Sequence, residues 1–209
     1  MKRASWLAIL LIATGAGWCQ AAVRIGILAG YAQPFEKVYG GGFAYGAGLS
    51  FDLHRNIALE LRTVRYQYSL EGSLDGLSKG TLSVMPVEIG FKGRFPLAGE
   101  KIVPYITVGG GYSFHQFTID PQLAAVWEKI GFGFTEKMNN AFGFHAGAGL
   151  EIVLTPGLAL VLDASFRFVR SEGSWTMSDL VGGQEVSGDL AKLGQNSVVF
   201  GLGLQFSWR

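Results

Sequence analysis

The 209-residue chain has little cysteine, little net charge and no long apolar run. Its single cysteine, Cys19, lies near the amino terminus, so we expect neither a disulfide framework nor thiol chemistry in the rest of the chain. The 17 basic and 16 acidic residues leave a net charge of +1, which gives no electrostatic reason to expect a nucleic-acid partner. The apolar run 6–13 is much shorter than the roughly 20 residues that a membrane-spanning helix needs.

The first 21 residues have the organisation of a cleaved secretory signal. Lys2 and Arg3 precede the apolar run, and the small residues Cys19 and Ala21 follow, after which a signal peptidase would cut. An uncleaved signal anchor is the alternative. We therefore expect 1–21 to be removed as a signal peptide, and 22–209 to form a single domain.

Glycine is the residue in excess, with 31 copies, most of them scattered through segments that alternate in character. Such alternation places large apolar side chains on one face of a strand and small or polar ones on the other. The clearest case is 198–208, where large apolar residues alternate with glycine, glutamine and serine. Eight segments share the pattern and are predicted to be strands: 24–32, 42–53, 57–68, 82–95, 103–115, 141–154, 158–169 and 198–208.

The connections between these segments alternate strictly between short and long. The short ones are 54–56, 96–101 and 155–157, and the long ones are 33–41, 71–80, 116–140 and 171–196. An up-and-down barrel would then carry the short turns and both termini at one rim, and four long loops at the other. If the barrel is one of the outer-membrane kind, which keep their turns in the periplasm, both termini are predicted to be periplasmic.

Periodicity alone allows either a transmembrane barrel or a soluble up-and-down barrel of the lipocalin type, with its apolar face inward. The polar faces are rich in glycine, alanine and serine, which suits a crowded lumen better than a solvated exterior. The segments, of about 9 to 14 residues, can cross a bilayer at a tilt, and aromatic residues lie near their ends. The predicted fold is therefore an all-β, eight-stranded antiparallel up-and-down transmembrane β-barrel.

Charged residues inside the predicted strands share a face with the glycines. If they faced lipid, each basic residue would cost about 2 to 4 kcal/mol, and the sum would approach the about 5 to 15 kcal/mol by which a domain is stable. We therefore expect them to pair in the lumen as a charge network, with a proton or ion path as the weaker alternative. An eight-stranded barrel has little room beyond its side chains, so no open porin channel is expected. The network comprises Glu60, Arg62, Glu88, Lys92, Glu151, Asp163 and Arg167.

The two longest loops carry apolar and aromatic residues that we expect to be exposed for contact with a surface ligand of unknown identity. Asp120 and Pro121 begin a segment with the signature of a capped helix. This helix could be a lid or partner-binding element, or a surface turn whose Trp127 packs against the barrel rim. The predicted loop contacts are Trp127, Phe132, Phe134, Trp175 and Met177.

Pro86 falls inside the fourth predicted strand, where it removes a ladder donor that a closed barrel should need. We therefore expect a bulge at this point, or a strand that begins nearer Val87.

His145 is the best candidate for a catalytic residue, because the run 144–147 faintly resembles the histidine strand of the lipid A deacylases. That chemistry needs a serine nucleophile two residues further on, and Gly147 occupies this position. We therefore expect His145 to be a packed lumenal residue and predict no catalytic site. His54 and His115 have no clustered Cys, Asp or Glu at ligand spacing, so neither a metal nor a cofactor is expected.

The signal peptide, the eight alternating segments, a Gly-Ala-Gly-Leu-Glu run at 147–151 before a Pro-Gly turn, and an aromatic final strand occur together in this chain. Together they resemble the bacterial outer-membrane β-barrel superfamily of the OmpA, OmpX and OmpW type. The resemblance implies an integral protein of the Gram-negative outer membrane that contacts membrane lipid and lipopolysaccharide. It also implies that the barrel-assembly machinery reads the final strand, with Arg209 a departure from the usual aromatic end. The assembly-signal residues would be Phe200, Leu202, Leu204, Phe206 and Trp208.

Three hypotheses for function remain. The leading one is a non-enzymatic barrel with a side-chain-filled lumen that anchors four surface loops, in a structural or surface-contact role. The resemblance to the OmpW type implies an alternative, a conduit for small hydrophobic molecules that enter between the loops and leave laterally into the membrane. A lipid A-modifying hydrolase is the third.

Overall fold

Eleven strands and one helix make up the part of the chain that the computed structural model describes, residues 22–37, 39–70, 79–97 and 99–208. The predicted signal peptide 1–21, Arg209 and most of the predicted loop 71–80 lie outside this part. No helix within it is long and apolar enough to span a membrane. The elements are β1 (Val23–Pro34), β2 (Tyr39–Gly40), β3 (Gly42–His54), β4 (Ile57–Leu70), β5 (Gly80–Arg94), β6 (Ile102–Ile119), α1 (Pro121–Lys129), β7 (Phe132–Met138), β8 (Ala141–Thr155), β9 (Leu158–Asp179), β10 (Glu185–Gly194) and β11 (Ser197–Trp208).

Eight of the strands pair edge to edge into a closed antiparallel ring. The order is β11–β1–β3–β4–β5–β6–β8–β9, and β9 pairs in turn with β11. These are the eight predicted strands, in the predicted up-and-down order. Because the ring is closed, each strand of the wall has a hydrogen-bonding neighbour on both sides. This is the condition for strands to cross a bilayer. The predicted eight-stranded transmembrane barrel is confirmed.

The stagger of the ring follows from its residue pairs. The stagger is the offset, in residues, between the two positions of β5 that are reached from one residue of β4 by going around the ring in opposite directions. In the direct direction, Tyr66 of β4 pairs with Val84 of β5. The longer path around the barrel from Tyr66 ends at Arg94 of β5, so the offset is 94 − 84 = 10 residues. A stagger of this size over eight strands requires the strands to tilt by about 40° from the barrel axis. The longer path runs through Ala44, Gly30, Gly201, Asp163, Gly149 and Tyr105.

Alternate residues of each strand point to opposite sides of the wall. Outward side chains are large and apolar and remain exposed, as with Ile27 and Ile89, which are 56% and 57% exposed. Inward side chains include charged ones that are almost fully buried, such as Glu88 at 5% and Arg167 at 1% exposed. The apolar face is therefore the outer one, which fits a membrane barrel and excludes the soluble alternative.

The two rims of the barrel differ. The rim with the tight turns also carries both ends of the described chain, where Val23 pairs with Trp208, and is here called the turn rim. The opposite rim, here called the loop rim, carries α1 and the strands β7 and β10.

The segments 116–140 and 171–196, predicted to be loops, are largely structured. β9 continues past the barrel wall to Asp179, where β7 pairs with its outer half from one side and β10 from the other. The result is a three-stranded sheet at the loop rim, here called the loop-rim sheet. The predicted helix is confirmed as α1: the side chain of Asp120 accepts hydrogen bonds from the backbone N–H groups of Gln122 and Leu123, and Pro121 opens the first turn.

The predicted accommodation of Pro86 is wrong. β5 begins at Gly80 and runs straight through Pro86 without a bulge. The register is the same on both sides of it, since Thr63 pairs with Val87 and Tyr66 with Val84. The two intervening residues of β4 have no pair in β5. The proline therefore removes pairing locally but does not change the register.

Candidate functional site

The turn-side half of the lumen is occupied by a connected set of ion pairs. Arg24 contacts Asp52 at 2.9 Å and Glu151 at 3.3 Å. The ammonium Nζ of Lys92 lies 3.5 Å from Glu151 and 3.0 Å from Glu60. Three bases and three acids make the set neutral, so each buried charge has a partner to offset its lost hydration. We call it the turn-side ion cluster: Arg24, Asp52, Glu60, Lys92, Arg94 and Glu151.

A second group of charges lies nearer the loop rim and centres on Glu88. The guanidinium groups of Arg62 and Arg167 approach the carboxylate of Glu88 at 2.9 and 3.0 Å, and Nδ1 of His145 lies 3.5 Å away. Arg62 also reaches Asp163 at 3.9 Å. The positive charges of the two arginines equal the negative charges of the two acids, with the histidine left out of this count. These five residues are called the loop-side ion cluster.

All seven residues predicted for the lumenal charge network lie in these two clusters. Four further members were not in the predicted network: His145, which was expected in the lumen as a packed residue, and three charged residues that sequence reasoning missed. The three are Arg24, Asp52 and Arg94. Strand alternation places each of them on the inward face, so parity alone could have found them. They lie at the turn-rim ends of β1, β3 and β5, where a charged residue is also compatible with a solvated rim.

Tyr105 of β6 connects the two clusters. Its hydroxyl donates a hydrogen bond to Asp163 at 2.8 Å, and Nζ of Lys92 lies 4.4 Å from the centre of its ring. Gly149 faces the same ring, and a Cβ at this position would clash both with the ring and with the backbone carbonyl oxygen of Leu162. Glycine is therefore required here because it makes room for a tyrosine that bridges the ion clusters.

The space left in the lumen is divided into a small inner cavity and a larger vestibule at the turn rim. A cavity of 70 Å³ lies between the two clusters, lined by Arg62, Lys92 and Tyr105 among others. A vestibule of 730 Å³ opens at the turn rim and ends at Arg94 and Glu151 of the turn-side cluster. Pockets for small organic ligands measure about 300 to 1,000 Å³, so the inner cavity is too small for one.

The loop-side half of the lumen is filled by apolar and aromatic side chains. Tyr66 and Tyr68 are fully buried with ring centres 5.1 Å apart, and the guanidinium of Arg167 lies 5.6 Å from the Tyr66 ring. Met138 and Leu190 reach in from the loop-rim sheet, so this sheet closes the barrel. The filling is called the apolar plug: Ala32, Tyr39, Ala44, Val64, Tyr66, Tyr68, Leu70, Leu82, Val84, Met138, Leu190 and Val199.

The five predicted loop contacts are half-buried, so the expectation that they are exposed is wrong. Phe134 stacks between Trp127 and Trp175, with ring centres 5.6 and 6.3 Å away. Trp175 in turn packs against the apolar plug. Trp127 is therefore a packing residue, but it packs against Phe134 of β7 rather than against the barrel rim, and this contact fixes α1 to the loop-rim sheet. The remaining two, Phe132 and Met177, lie in the same sheet.

A different set of apolar residues is exposed at the loop rim. Val126 and Ile130 project from α1 and its end, while Leu180 and Val181 form the turn between β9 and β10, with Val181 91% exposed. The backbone N–H of Leu180 donates to the carbonyl of Gly131 at 2.9 Å, which joins the two segments. These four side chains are called the apolar tip.

The turn of the apolar tip is held by a carboxylate. The backbone N–H of Val181 donates to Oδ1 of Asp179 at 2.9 Å. Hydrogen bonds from the N–H groups of Val181 and Gly182 lower the pKa of Asp179 from its ordinary value, because they favour the charged carboxylate.

His145 is buried beside Glu88, opposite Arg167 of the neighbouring strand. Within the described ranges no serine hydroxyl forms a hydrogen bond with it, and residue 147 is glycine. A nucleophile activated by this histidine would need such a contact. No group of three or more His, Cys, Asp or Glu side chains in the described part of the chain could hold a metal ion.

The residues predicted as an assembly signal lie on the outward face of β11. Phe200, Leu202, Phe206 and Trp208 are each at least 40% exposed, and Leu204 is half-buried. β11 pairs with β1 on one side and β9 on the other, so this strand closes the ring.

Comparison with known proteins agrees with this architecture. The chain is similar to OprG of Pseudomonas aeruginosa, with 13% identity over 90% of this chain and 97% of that one, and a TM-score of 0.63. It is similar to the Neisserial surface protein A, with 10% identity, coverage of 91% and 98%, and a TM-score of 0.56. A major outer membrane protein of Thermus thermophilus is 14% identical, with coverage of 89% and 99% and a TM-score of 0.52.

At these identities the solved structures show the fold alone. No curated protein matches the sequence. The sequence model of the outer membrane protein beta-barrel domain matches residues 9–206, nearly the whole chain and every strand of the ring except the last two residues of β11. The chain therefore belongs to the outer membrane protein beta-barrel domain family, and is an integral β-barrel of the Gram-negative outer membrane.

Proposed function

We propose that the protein is a closed, non-enzymatic barrel that anchors the loop-rim sheet and the apolar tip at the cell surface, where they contact the surroundings. In this proposal the loop rim faces outward and both termini face the periplasm. The barrel-assembly machinery inserts the protein by reading the outward face of β11, and outer-membrane lipid and lipopolysaccharide surround the wall.

The observation that carries the proposal is the filling of the lumen at three successive levels. A solute entering from the turn rim would first have to break the turn-side ion cluster, whose Glu151 is 1% exposed. It would then meet the loop-side ion cluster and finally the apolar plug, where Tyr66 and Tyr68 are fully buried. Each step exposes buried charges or removes packed side chains, and both are costly.

A surface role is further supported by how the loop rim is built. Segments of this length without internal structure would be expected to be mobile, yet here they form a sheet braced by the Trp127–Phe134–Trp175 stack. The brace holds the apolar tip away from the membrane on a rigid support. Exposed apolar residues in a fixed position are a feature of contact surfaces.

The closed lumen is tested by conductance. The purified protein is reconstituted in planar bilayers and compared with the double variant Tyr66→Ala/Tyr68→Ala, which empties the apolar plug, and with protein-free membranes. We expect the native protein to leave the conductance at the protein-free level. Steady, solute-selective passage through the native protein would overturn the proposal.

The orientation is tested on intact cells. A protease site inserted after Gly183, at the apolar tip, should be cut by external protease, whereas the same site inserted after Pro156, in a turn of the turn rim, should be cut only after the outer membrane is permeabilised. The reverse pattern would mean that the loop rim faces the periplasm.

The proposal that the barrel is non-enzymatic is tested by mass spectrometry of lipid A from expressing cells. We expect the lipid A to be unchanged.

A second candidate is a conduit for small hydrophobic molecules that leave through the wall. It is favoured by the missing β4–β5 pairs at Pro86, which lie beside Val64 and Tyr66 of the apolar plug. A mobile plug would open onto the membrane at this weakened seam. The assay measures uptake of an apolar solute into vesicles that contain the protein. Pro86→Ala should slow this uptake, because alanine restores a backbone N–H donor to the β4–β5 ladder. Equal uptake by vesicles with the native protein, with the variant and with no protein would exclude the conduit.

A further inference from the structure

The outward face of the barrel wall is uncharged except at one place. From the turn rim up to the aromatic residues near the loop rim, the outward positions of the eight ring strands hold apolar, aromatic or uncharged polar residues, with Arg65 of β4 the single exception in the described part. Its neighbours Val64 and Tyr66 point into the apolar plug, so Arg65 itself points away from the lumen. A guanidinium facing hydrocarbon is unfavourable, so its depth in the membrane decides what it can do.

Arg65 lies at the upper boundary of the apolar band. It is eight residues beyond Ile57, the first residue of β4, and strand rise and tilt convert this to about 20 Å along the barrel axis. The apolar band of such barrels is about 25 Å tall. Arg65 is paired with Tyr45, and the rings of Tyr45 and Phe43 lie 6.0 Å apart on the same outer face, as in an interfacial aromatic belt.

The side chain of Arg65 leans toward the loop rim. Its Nε donates a hydrogen bond to the hydroxyl of Ser83 at 3.1 Å. Ser83 pairs with Gln67, which is two residues closer to the loop rim than Arg65. The guanidinium therefore reaches up toward the headgroup layer, and none of the ion pairs formed by described residues includes it.

The surface around Arg65 is amphipathic. On the loop-rim side, the outward positions of β4 and β5 hold hydrogen-bonding side chains: Gln67, Ser69, Thr81 and Ser83. On the turn-rim side, they hold exposed apolar ones: Leu61, Met85, Val87 and Ile89. This arrangement suits a ligand with an anionic, hydrogen-bonding head and acyl chains that lie along the wall.

We propose that Arg65 and the polar strip above it bind a phosphate of lipid A, the phosphorylated glycolipid anchor of lipopolysaccharide, while its acyl chains cover the apolar positions below. Guanidinium–phosphate contacts are charge-assisted and geometrically specific, and the headgroup layer is the place where Arg65 can make one. The inference rests on the proposed outward orientation of the loop rim, because lipopolysaccharide occupies the outer leaflet.

The test uses the purified protein folded in detergent and native mass spectrometry, with bisphosphorylated lipid A, dephosphorylated lipid A and phosphatidylglycerol as probes. The variants are Arg65→Gln, Arg65→Lys and, as a matched control, Arg55→Gln, which removes an exposed guanidinium from the turn rim. A heat-dependent gel shift checks that each variant is folded.

We expect Arg65→Gln to weaken binding of bisphosphorylated lipid A about tenfold, with Arg65→Lys intermediate and Arg55→Gln unchanged. Dephosphorylated lipid A should bind the native protein about as weakly as intact lipid A binds Arg65→Gln. The proposal is overturned if Arg65→Gln binds like the native protein, or if removal of the phosphates has no effect. Equal binding of phosphatidylglycerol would overturn the assignment to lipid A. These binding measurements use purified protein and do not depend on its orientation in the membrane. A failure of the proposed orientation is therefore detected separately, by the protease test.

Discussion

Glu88 should be the most sensitive charge in the barrel, because two buried arginines depend on it. Glu88→Gln keeps the shape of the side chain but removes its charge. Among the described residues, Arg167, which is 1% exposed, then has no carboxylate within reach, and Arg62 keeps only Asp163 at 3.9 Å. Breaking a buried ion pair in this way costs about 3 to 5 kcal/mol, and since glutamine retains a hydrogen-bonding oxygen, we expect a loss near 3 kcal/mol.

The matched double variant separates charge balance from packing. Arg167→Gln alone should also cost about 3 kcal/mol, because it leaves Glu88 with one arginine instead of two. In Glu88→Gln/Arg167→Gln the remaining pair, Arg62 and Asp163, is again neutral. We therefore expect the double variant to be less destabilised than the sum of the singles by about 2 kcal/mol.

The assay is urea unfolding of the protein in lipid vesicles, followed by tryptophan fluorescence and by the heat-dependent gel shift. The exposed pair Arg55–Glu100 at the turn rim, whose side chains are 74% and 67% exposed, provides the control, and its neutralisation should change the free energy of unfolding by less than about 1 kcal/mol. If Glu88→Gln costs no more than this control, or if the two lumenal variants are additive, the argument for a balanced buried cluster is refuted.

Three further predictions concern single positions. Gly149→Ala should destabilise the barrel by about 1 to 3 kcal/mol, because the added methyl group clashes with the backbone carbonyl of Leu162 and displaces Tyr105 from Asp163. Urea unfolding measures the loss, and an unchanged free energy of unfolding would contradict the prediction. Phe134→Ala should leave the barrel folded but release α1, so that limited proteolysis cuts 121–129 faster, and unchanged cleavage would contradict the aromatic brace. The turn at Asp179 should be stable above the ordinary pKa of aspartate and should loosen as the pH falls through the lowered pKa of Asp179. An NMR titration that gives this carboxyl group a pKa at or above the ordinary value would contradict the prediction.

The barrel wall was predictable from the sequence because one physical requirement sets every strand. Outward residues must tolerate lipid and inward residues must fit a narrow lumen, so 198–208 and 42–53 show the alternation at almost every position. The same parity brings Glu88 and Arg167 to one lumen although 79 residues separate them. Their partners could not be predicted, since pairing across the lumen depends on stagger, and the sequence does not encode the stagger of 10 residues locally.

The loop rim was predicted less well, for a related reason. β7 has only seven residues, and the register of β10 against β9 shifts between Leu190 and Leu193, so neither sequence shows the long regular alternation that marks the wall strands. Trp175 and Phe134 were expected to be exposed because they fall outside the alternating segments; their burial follows from pairing of β7 with β9, a tertiary contact. Pro86 was expected to bend or shorten its strand, whereas the neighbouring β6 pairs with β5 throughout and holds it straight.

Neutrality within each lumenal ion cluster restricts how the sequence can diverge. A lone change of sign at a buried member such as Glu88 or Arg167 leaves an uncompensated charge with little access to water, so such a variant loses stability even if its other contacts are kept. Exchange of an acid and a base together, inside one cluster, conserves the balance. We therefore expect descendants of this chain to swap lumenal charges in coupled pairs such as Glu88 with Arg167, and to leave the other cluster unaltered when they do.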